Sequence, residues 1–250
     1  MRRTAPYARR ALKAAALTFL AAVAAALVAF GASDIASDAR AAERYADVAD
    51  AYGPAAGAAP DWAGMADGGI EADAWLAVAG TSIDTPVMQA DDDDPERWLY
   101  RAADGTPSPT GCPFVDHRCT ASSDVTVVYG HRTAYLGYMF HDLADCYDQG
   151  AFDRLGTARL DVPGTAPTTF EPLCATSVGR DDATWQGCLG LPGTSLPAWL
   201  AETLPKASAR CATADADAAS ARRLLVLVTC NGRAFDPPTR TVVVFVSDGK

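Results

Sequence analysis

The sequence predicts a mainly β domain, either a closed β-barrel or a sandwich, preceded by an N-terminal apolar helix. Short runs rich in β-branched and aromatic residues recur between turn residues, a pattern typical of all-β folds. These runs cover residues 74–78, 83–88, 125–129, 157–162, 168–178, 224–230 and 241–246. The chain has 250 residues, of which 49% are hydrophobic, so it can form one domain with its own core and an extension.

The N-terminal segment has the charge pattern of an exported protein. Residues 1–13 contain five basic residues and no acidic one, so the formal charge of −10 leaves −15 on the rest of the chain. The uncharged apolar stretch over residues 14–32 is near the length that crosses a bilayer. The basic head before it predicts a cytoplasmic N-terminus and an extracellular domain. A cleaved signal peptide that ends near Ala32 is the alternative.

The sequence divides into three predicted parts: a basic head with an anchor (1–32), a linker with a helical segment (33–71) and a β-rich domain (72–250). Alanine and charged residues dominate residues 37–52, which favours a helix, and glycine and proline then predict a break at 53–60. Two helical patches interrupt the β-rich domain, at residues 138–152 and 196–207. The acidic charge of the domain argues against a nucleic-acid partner, because nucleic acid requires a basic face.

A cysteine at the end of a buried strand is the strongest chemical signal in the sequence. The apolar run 224–230 predicts a buried strand that ends at Cys230. A turn-rich loop follows, and Arg240 opens the next apolar run. If the two strands pair antiparallel, both residues lie at one end of the sheet, where a guanidinium favours the thiolate and can hold an oxyanion. The alternatives are a core thiol at Cys230 and Arg233 in place of Arg240.

A histidine completes a possible reactive site. His131 follows the short β-rich run 125–129, after Gly130. The chain has only two other histidines, His117 and His141, and we expect both to be structural or exposed. A cysteine, a histidine and an arginine at strand ends are the parts of a thiol acyl-transfer site, in which they serve as nucleophile, general acid and base, and electrostatic stabiliser.

Several short motifs resemble those of the sortases. They are Thr229-Cys230 with Arg240, similar to the TLxTC…R signature, then Tyr129-Gly130-His131, and residues 82–89, Ser-Ile-Asp-Thr-Pro-Val-Met-Gln. Val226 stands where the family usually has the first threonine of its signature. Three features point to class B: residues 139–143, Met-Phe-His-Asp-Leu, residues 111–118, Gly-Cys-Pro-Phe-Val-Asp-His-Arg, and a long insertion before the cysteine strand. The resemblance covers residues 72–250.

The resemblance implies a closed sortase-type barrel of about eight strands with a few peripheral helices, held to the outside of a Gram-positive membrane by an N-terminal membrane helix. It implies a cysteine transpeptidase that cleaves the C-terminal sorting signal of a secreted protein, of the L/N-P-x-T-G type. An amine of a cell-wall precursor or a pilin then accepts the acyl group. Cys230 would be the nucleophile, His131 the acid and base, Arg240 the stabiliser, and Thr229 a backbone or hydroxyl contact to the substrate. No cofactor is expected, because the thioester keeps the acyl group activated.

Two other functions stay open on the residues alone. One is an extracellular cysteine peptidase that hydrolyses its substrate, although papain-like peptidases usually place the cysteine at the start of a helix whereas Cys230 ends a strand. The other is a non-catalytic surface β-barrel that binds a partner, in which the three site residues would be misaligned.

The six other cysteines allow up to three disulfide bonds, as expected outside the membrane. A pairing by local neighbours gives Cys112–Cys119, Cys174–Cys188 and Cys146–Cys211. The sequence leaves this pairing open, and each of these cysteines is alternatively a buried thiol.

We expect no metal site. The acidic residues 91–94 favour a solvated loop over a calcium site, and the spacing of Cys112, His117 and Cys119 fits no common zinc pattern. Residues 191–195, Leu-Pro-Gly-Thr-Ser, resemble a sorting signal. They lack the apolar helix and basic tail that follow such a signal, so we interpret the match as a coincidence.

Overall fold

The computed structural model describes residues 5–55, 58–133, 137–231 and 238–249, and the chain divides into two compact units at residue 40. Helix α1 covers Ala5–Tyr52, and its N-terminal part makes up the first unit. Within it an 18-residue window reaches a mean hydropathy of 2.2, with side chains such as Leu17 and Phe19 exposed. By length and composition this helix could cross a membrane, and a signal sequence has the same features.

The sequence predicted an apolar stretch over residues 14–32 and a helix over residues 37–52, and α1 runs continuously through both. The physical reason is that no proline stands between the two segments and the only glycine there is Gly31, so nothing interrupts the backbone hydrogen bonds. The helix ends at Tyr52, directly before Gly53 and Pro54, as the predicted break requires.

The described residues of the second unit form nine strands. They are β1 Ala74–Val78, β2 Asp84–Gln89, β3 Phe114–Val115, β4 Val125–Tyr129, β5 Ala158–Asp161, β6 Thr168–Gly179, β7 Ala209–Arg210, β8 Arg223–Cys230 and β9 Thr239–Ser247. All seven predicted runs coincide with strands. The sequence missed β3 and β7, because two residues are too few to show an alternating pattern.

Eight of these strands close into a barrel. Their order is β5-β1-β2-β3-β4-β8-β9-β6, and β6 pairs again with β5, while β7 lies outside the ring on β6. The pairs β2–β3 and β4–β8 are parallel, and the other pairs are antiparallel. The predicted fold class, a closed barrel of about eight strands with a few peripheral helices and an N-terminal apolar helix, is therefore confirmed.

The core explains the near-continuous apolar strands β8 and β9. Leu224, Leu225 and Leu227 on β8 are fully buried, as are Val243 to Phe245 on β9. Both faces of these strands are covered, one by the barrel interior and the other by the helices and loops around it. A second apolar cluster surrounds Trp75 and includes Met65.

Short helices decorate the barrel: α2 Trp62–Asp67, α3 Gln149–Phe152, α4 Leu196–Thr203 and α5 Ala214–Ser220. The helical patch predicted at 138–152 is only partly helical. It contains a 3₁₀ turn at His141–Leu143, and Asp148 is extended and caps the start of α3, which breaks the helix. The patch predicted at 196–207 is present as α4 with a 3₁₀ turn at Leu204–Lys206, where Pro205 tightens the end.

None of the seven cysteines forms a disulfide bond, so the three bridges considered from the sequence are absent. Cys112 and Cys119 lie in two different apolar clusters. Burial raises the pKa of the thiols of Cys146, Cys174 and Cys188 to about 12. These cysteines therefore serve as small apolar core residues, which is the alternative that the sequence left open.

Candidate active site

The parallel pairing of β4 and β8 brings His131 and Cys230 to the same end of the sheet. Tyr129, the last residue of β4, pairs with Val228 on β8, and the Gly130 amide donates to the Val228 carbonyl at 3.1 Å. His131 and Cys230 each stand two residues beyond this last pair. Because parallel neighbours advance together along a sheet, the two residues leave it side by side.

Cys230 and Arg240 lie directly opposite each other on β8 and β9. The next pair, Asn231 and Thr239, is joined by a hydrogen bond from the Asn231 amide, at 3.5 Å. Pairs whose backbones exchange hydrogen bonds alternate in an antiparallel ladder with pairs whose backbones do not. Cys230 and Arg240 belong to the second kind, in which the side chains approach most closely. The antiparallel arrangement considered from the sequence is therefore present, with the thiol and the guanidinium on one face.

Thr229 lies on the opposite face of the sheet from Cys230. Its side chain is 2% exposed, and its hydroxyl has no hydrogen-bond partner among the described residues. Its cross-strand partner Thr241 is also buried and donates its hydroxyl to the Ala144 carbonyl at 2.5 Å. A substrate bound at Cys230 can thus meet the backbone of Thr229 but not its hydroxyl.

His131 is held by the segment between β2 and β3. Its Nε2 lies 2.9 Å from the carbonyl oxygen of Leu99. A carbonyl oxygen only accepts, so Nε2 carries the proton in this hydrogen bond. In the neutral imidazole Nδ1 then holds the lone pair, and proton uptake takes place at Nδ1.

The pKa of His131 lies below its ordinary value. Burial is the main cause, because it penalises the charged ring. The hydrogen bond to Leu99 raises the pKa, and the positive charge of Arg240 lowers it. The strand register, with Arg240 opposite Cys230 and His131 beyond the end of the adjacent β4, accounts for this effect of Arg240 on His131.

The side chain of Asn231 ties the end of β8 to the adjacent strand β9 and to β6, the strand beyond β9, and the sequence did not single it out. Its amide nitrogen donates to the Ser177 hydroxyl on β6 at 2.7 Å, and its amide oxygen accepts from the Thr239 hydroxyl on β9. These bonds immobilise the backbone directly after Cys230. The only sequence signal was an asparagine at a strand end, which is ordinary turn chemistry.

An ion pair between the exposed Arg118 and the buried Asp116 supports β4, the strand that precedes His131. Arg118 donates two side-chain hydrogen bonds to Asp116, whose side chain is 3% exposed, and the Tyr129 hydroxyl donates to the same carboxylate at 3.1 Å. Burial alone would raise the pKa of Asp116, but the bonds from Arg118 hold it below the usual range. The Asp and Arg of the 111–118 motif thus have a positioning role at β4.

The remaining sequence-predicted residues lie elsewhere. His117 contacts Asp92 at 2.8 Å through Nδ1, and the His141 Nδ1 lies 3.0 Å from the Thr133 carbonyl, so both have structural partners. Within the acidic loop, Asp91 accepts a hydrogen bond from the Asp94 amide. Arg233 lies outside the described residues.

The segment that resembles a sorting signal packs far from Cys230. Its Gly193 donates to Asp124 at 2.7 Å and begins a 3₁₀ turn, and a Cβ on Gly193 would stand 2.3 Å from the Arg222 carbonyl. Arg222 precedes β8, so the segment lies at the end of that strand opposite Cys230, roughly 25 Å away at the usual rise per residue. This chain therefore cannot present the segment to its own cysteine.

Comparison with known proteins gives a clear result for structure. No protein-family model matches the chain, and no curated protein matches it. Among solved structures, sortase B of Clostridium perfringens is 26% identical with a TM-score of 0.58, over 70% of this chain and 92% of that one. A Staphylococcus aureus sortase B–substrate complex is 18% identical with a TM-score of 0.62, over 84% of this chain and 97% of that one. Sortase B of B. anthracis in complex with AAEK1 is 19% identical with a TM-score of 0.63, over 86% of this chain and 97% of that one.

These structures come from several species and all are class B sortases. They support a sortase-type enzyme, and they match the closed barrel. The chain therefore has a class B-like sortase fold.

Proposed function

We propose that this protein is a cysteine transpeptidase in which Cys230 is the nucleophile, His131 the acid and base, and Arg240 the electrostatic stabiliser. The observation that carries the proposal is the strand register. It places Cys230 opposite Arg240 on β9 and beside the end of β4, from which His131 extends. Among the seven cysteines, Cys230 is one of only two that are not buried.

The first half of the reaction is acylation. The Cys230 sulfur attacks the carbonyl carbon of a peptide bond, and Arg240 stabilises the negative charge that develops on the carbonyl oxygen. The carbon–nitrogen bond then breaks, and the imidazolium of His131 gives its Nδ1 proton to the leaving amine. The products are a thioester on Cys230 and a released peptide with a free amino terminus.

The second half reverses these roles. An acceptor amine attacks the thioester, and neutral His131 takes a proton from it at Nδ1. The carbon–sulfur bond breaks, and Cys230 is released as a thiolate next to Arg240. The lowered pKa of His131 suits this step, since the ring must be neutral to accept a proton.

The substrate and the acceptor follow from the class. The solved structures to which this chain is similar include a sortase B–substrate complex and a sortase B complexed with triglycine. We infer that this enzyme takes the C-terminal sorting signal of a secreted protein, of the L/N-P-x-T-G type, and transfers it to an amine of a cell-wall precursor or a pilin. Residues 1–32 would then anchor the enzyme with its N-terminus inside the cell, residues 33–71 would be the linker, and residues 72–250 the extracellular catalytic domain.

Peptide turnover with and without an acceptor tests this proposal against the two alternatives. The soluble domain is incubated with fluorogenic sorting-signal peptides, and products are separated by mass. We expect exchange that depends on the amine. Cleavage by water alone, unaffected by any amine, would indicate a cysteine peptidase, and no turnover with any signal would leave a binding domain.

A further inference from the structure

Tyr100 is an exposed aromatic residue beside the proposed acid and base. Its side chain is 62% exposed, and among the described residues of the second unit only one other large hydrophobic side chain, Tyr147 at 37%, is exposed. The Tyr100 ring lies 6.4 Å from the His131 ring between centroids, with a tilt of 57°. Because this ring is exposed, a ligand that covers it removes apolar surface from water, which makes the free energy of binding more favourable.

The backbone holds this ring in place before any ligand arrives. The Tyr100 carbonyl accepts from the Ser108 amide at 2.9 Å, and the following residues form a turn in which the Ala102 amide donates to Thr106 at 2.9 Å. Immediately before it, the Leu99 carbonyl accepts from His131. Tyr100 is therefore a preorganised surface, and binding there costs little conformational entropy.

The location of the ring points to an amine. His131 handles the leaving amine and the acceptor amine, whereas Cys230 and Arg240 face the carbonyl. A group whose ring lies beside that of His131 is thus on the amine side of the reaction. The acceptor arrives as an ammonium ion, and the charge of −15 on the chain beyond its basic head attracts cations.

An aromatic face suits this ammonium better than a carboxylate would. A carboxylate at this point would pair with Arg240 and would raise the pKa of His131, which must be neutral to accept a proton. It would also stabilise the ammonium against deprotonation. The face of a tyrosine attracts a cation weakly and adds no charge, so it can hold the amine without opposing the loss of its proton.

We propose that Tyr100 binds the acceptor of the transfer reaction by placing the acceptor's ammonium group on the face of the tyrosine ring beside His131. This inference rests on the proposed transpeptidase function and adds the recognition of the second substrate. The ligand class is a primary ammonium, either the amino terminus of a glycine-like chain or the side chain of a lysine.

Kinetics of three variants test the role of Tyr100. The acceptor KM is measured for Tyr100→Leu, which removes the aromatic face, for Tyr100→Phe, which keeps it, and for Tyr147→Leu as the matched control. Triglycine and Nα-acetyl-lysine amide serve as acceptors and distinguish the two sources of the ammonium. We expect Tyr100→Leu to raise the KM of one or both acceptors by about 2- to 30-fold, the range of a cation–π contact. Tyr100→Phe and Tyr147→Leu should stay near the wild type.

Hydrolysis of the signal peptide without an acceptor gives the second measurement. In Tyr100→Leu the KM of the signal peptide in this reaction should change less than the acceptor KM, because the acceptor takes no part in acylation. An unchanged acceptor KM in this variant, or a higher KM for the signal peptide instead, would overturn the proposal.

A binding measurement separates this inference from the proposed function. In Cys230→Ala, the ring protons of Tyr100 are followed by NMR during titration with triglycine and with its N-acetylated form. A shift with the free amine only supports the ammonium site, even if the wild type proves to have no turnover and the transpeptidase proposal fails. Equal shifts or none would overturn the site, even if the enzyme exchanges amines.

Discussion

Gly130 connects β4 to His131, and we predict that Gly130→Ala damages both stability and activity. A Cβ at this position would stand 2.7 Å from two ring atoms of Phe140 and 2.9 Å from a third. Phe140 is fully buried, so its ring has no space into which to retreat. Overpacking of this kind costs about 1–3 kcal/mol of unfolding free energy.

The same clash would move the proposed acid and base. The Phe140 amide donates to the His131 carbonyl at 3.2 Å, and the Gly130 amide donates to Val228, so a displaced ring pulls on the backbone that carries His131. A misplacement of about 1 Å near the chemistry can lower the rate by ~10²-fold. We therefore expect kcat/KM to fall more than the loss of stability alone would explain.

Urea unfolding and peptide exchange at a temperature where the variant stays folded measure the two effects. The control is Gly187→Ala, since a Cβ there meets only a Trp199 atom at 3.5 Å, an ordinary contact. If Gly130→Ala were as stable and as active as Gly187→Ala, the packing of Phe140 against Gly130 would not position His131, and this reasoning would be refuted.

Three further predictions concern the site itself. Arg240→Ala should lower kcat/KM by ~10²–10³-fold as an oxyanion contact is lost, and Arg233→Ala far less; the reverse ranking would assign the role to Arg233. Asn231→Ala should lower kcat while peptide KM and the circular dichroism spectrum stay unchanged, whereas wild-type kinetics would deny Asn231 a positioning role. NMR titration of His131 should give a pKa below about 6.5, which rises in Arg240→Ala. A pKa that is lower in the folded chain means that the unfolded chain binds the His131 proton more readily. The free energy of unfolding should therefore fall as the pH drops below about 6.5, and it should fall less in His131→Asn.

Local patterns in the sequence predicted most of the barrel. The strand that ends at Cys230 and the strand that contains Arg240 follow each other closely in the sequence, so their antiparallel pairing could be predicted from the pattern of apolar and turn residues. The neighbourhood of His131 and Cys230 could not be derived in this way. It depends on the parallel pairing of β4 with β8, between strands far apart in the sequence, and only the resemblance to sortases suggested it.

The supporting contacts of the site were beyond sequence reasoning for a chemical reason. Leu99 acts through its backbone carbonyl, which every residue has, so no residue type marks it. In the sequence, nothing distinguishes Tyr100 from the other aromatic residues, and only the structure shows its ring beside that of His131. Thr229 shows the converse, since the resemblance allowed a backbone or a hydroxyl contact to the substrate, and the strand alternation turns the hydroxyl into the core.

The central claim is that Cys230 forms a thioester with a cleaved sorting signal. Intact-protein mass spectrometry after rapid mixing with a signal peptide, in the absence of an amine, tests it most directly. We expect an adduct with the mass of the N-terminal peptide fragment, located on Cys230, absent from Cys230→Ala and removed within one turnover by triglycine. Turnover without any adduct on Cys230, or an adduct that persists in Cys230→Ala, would contradict it.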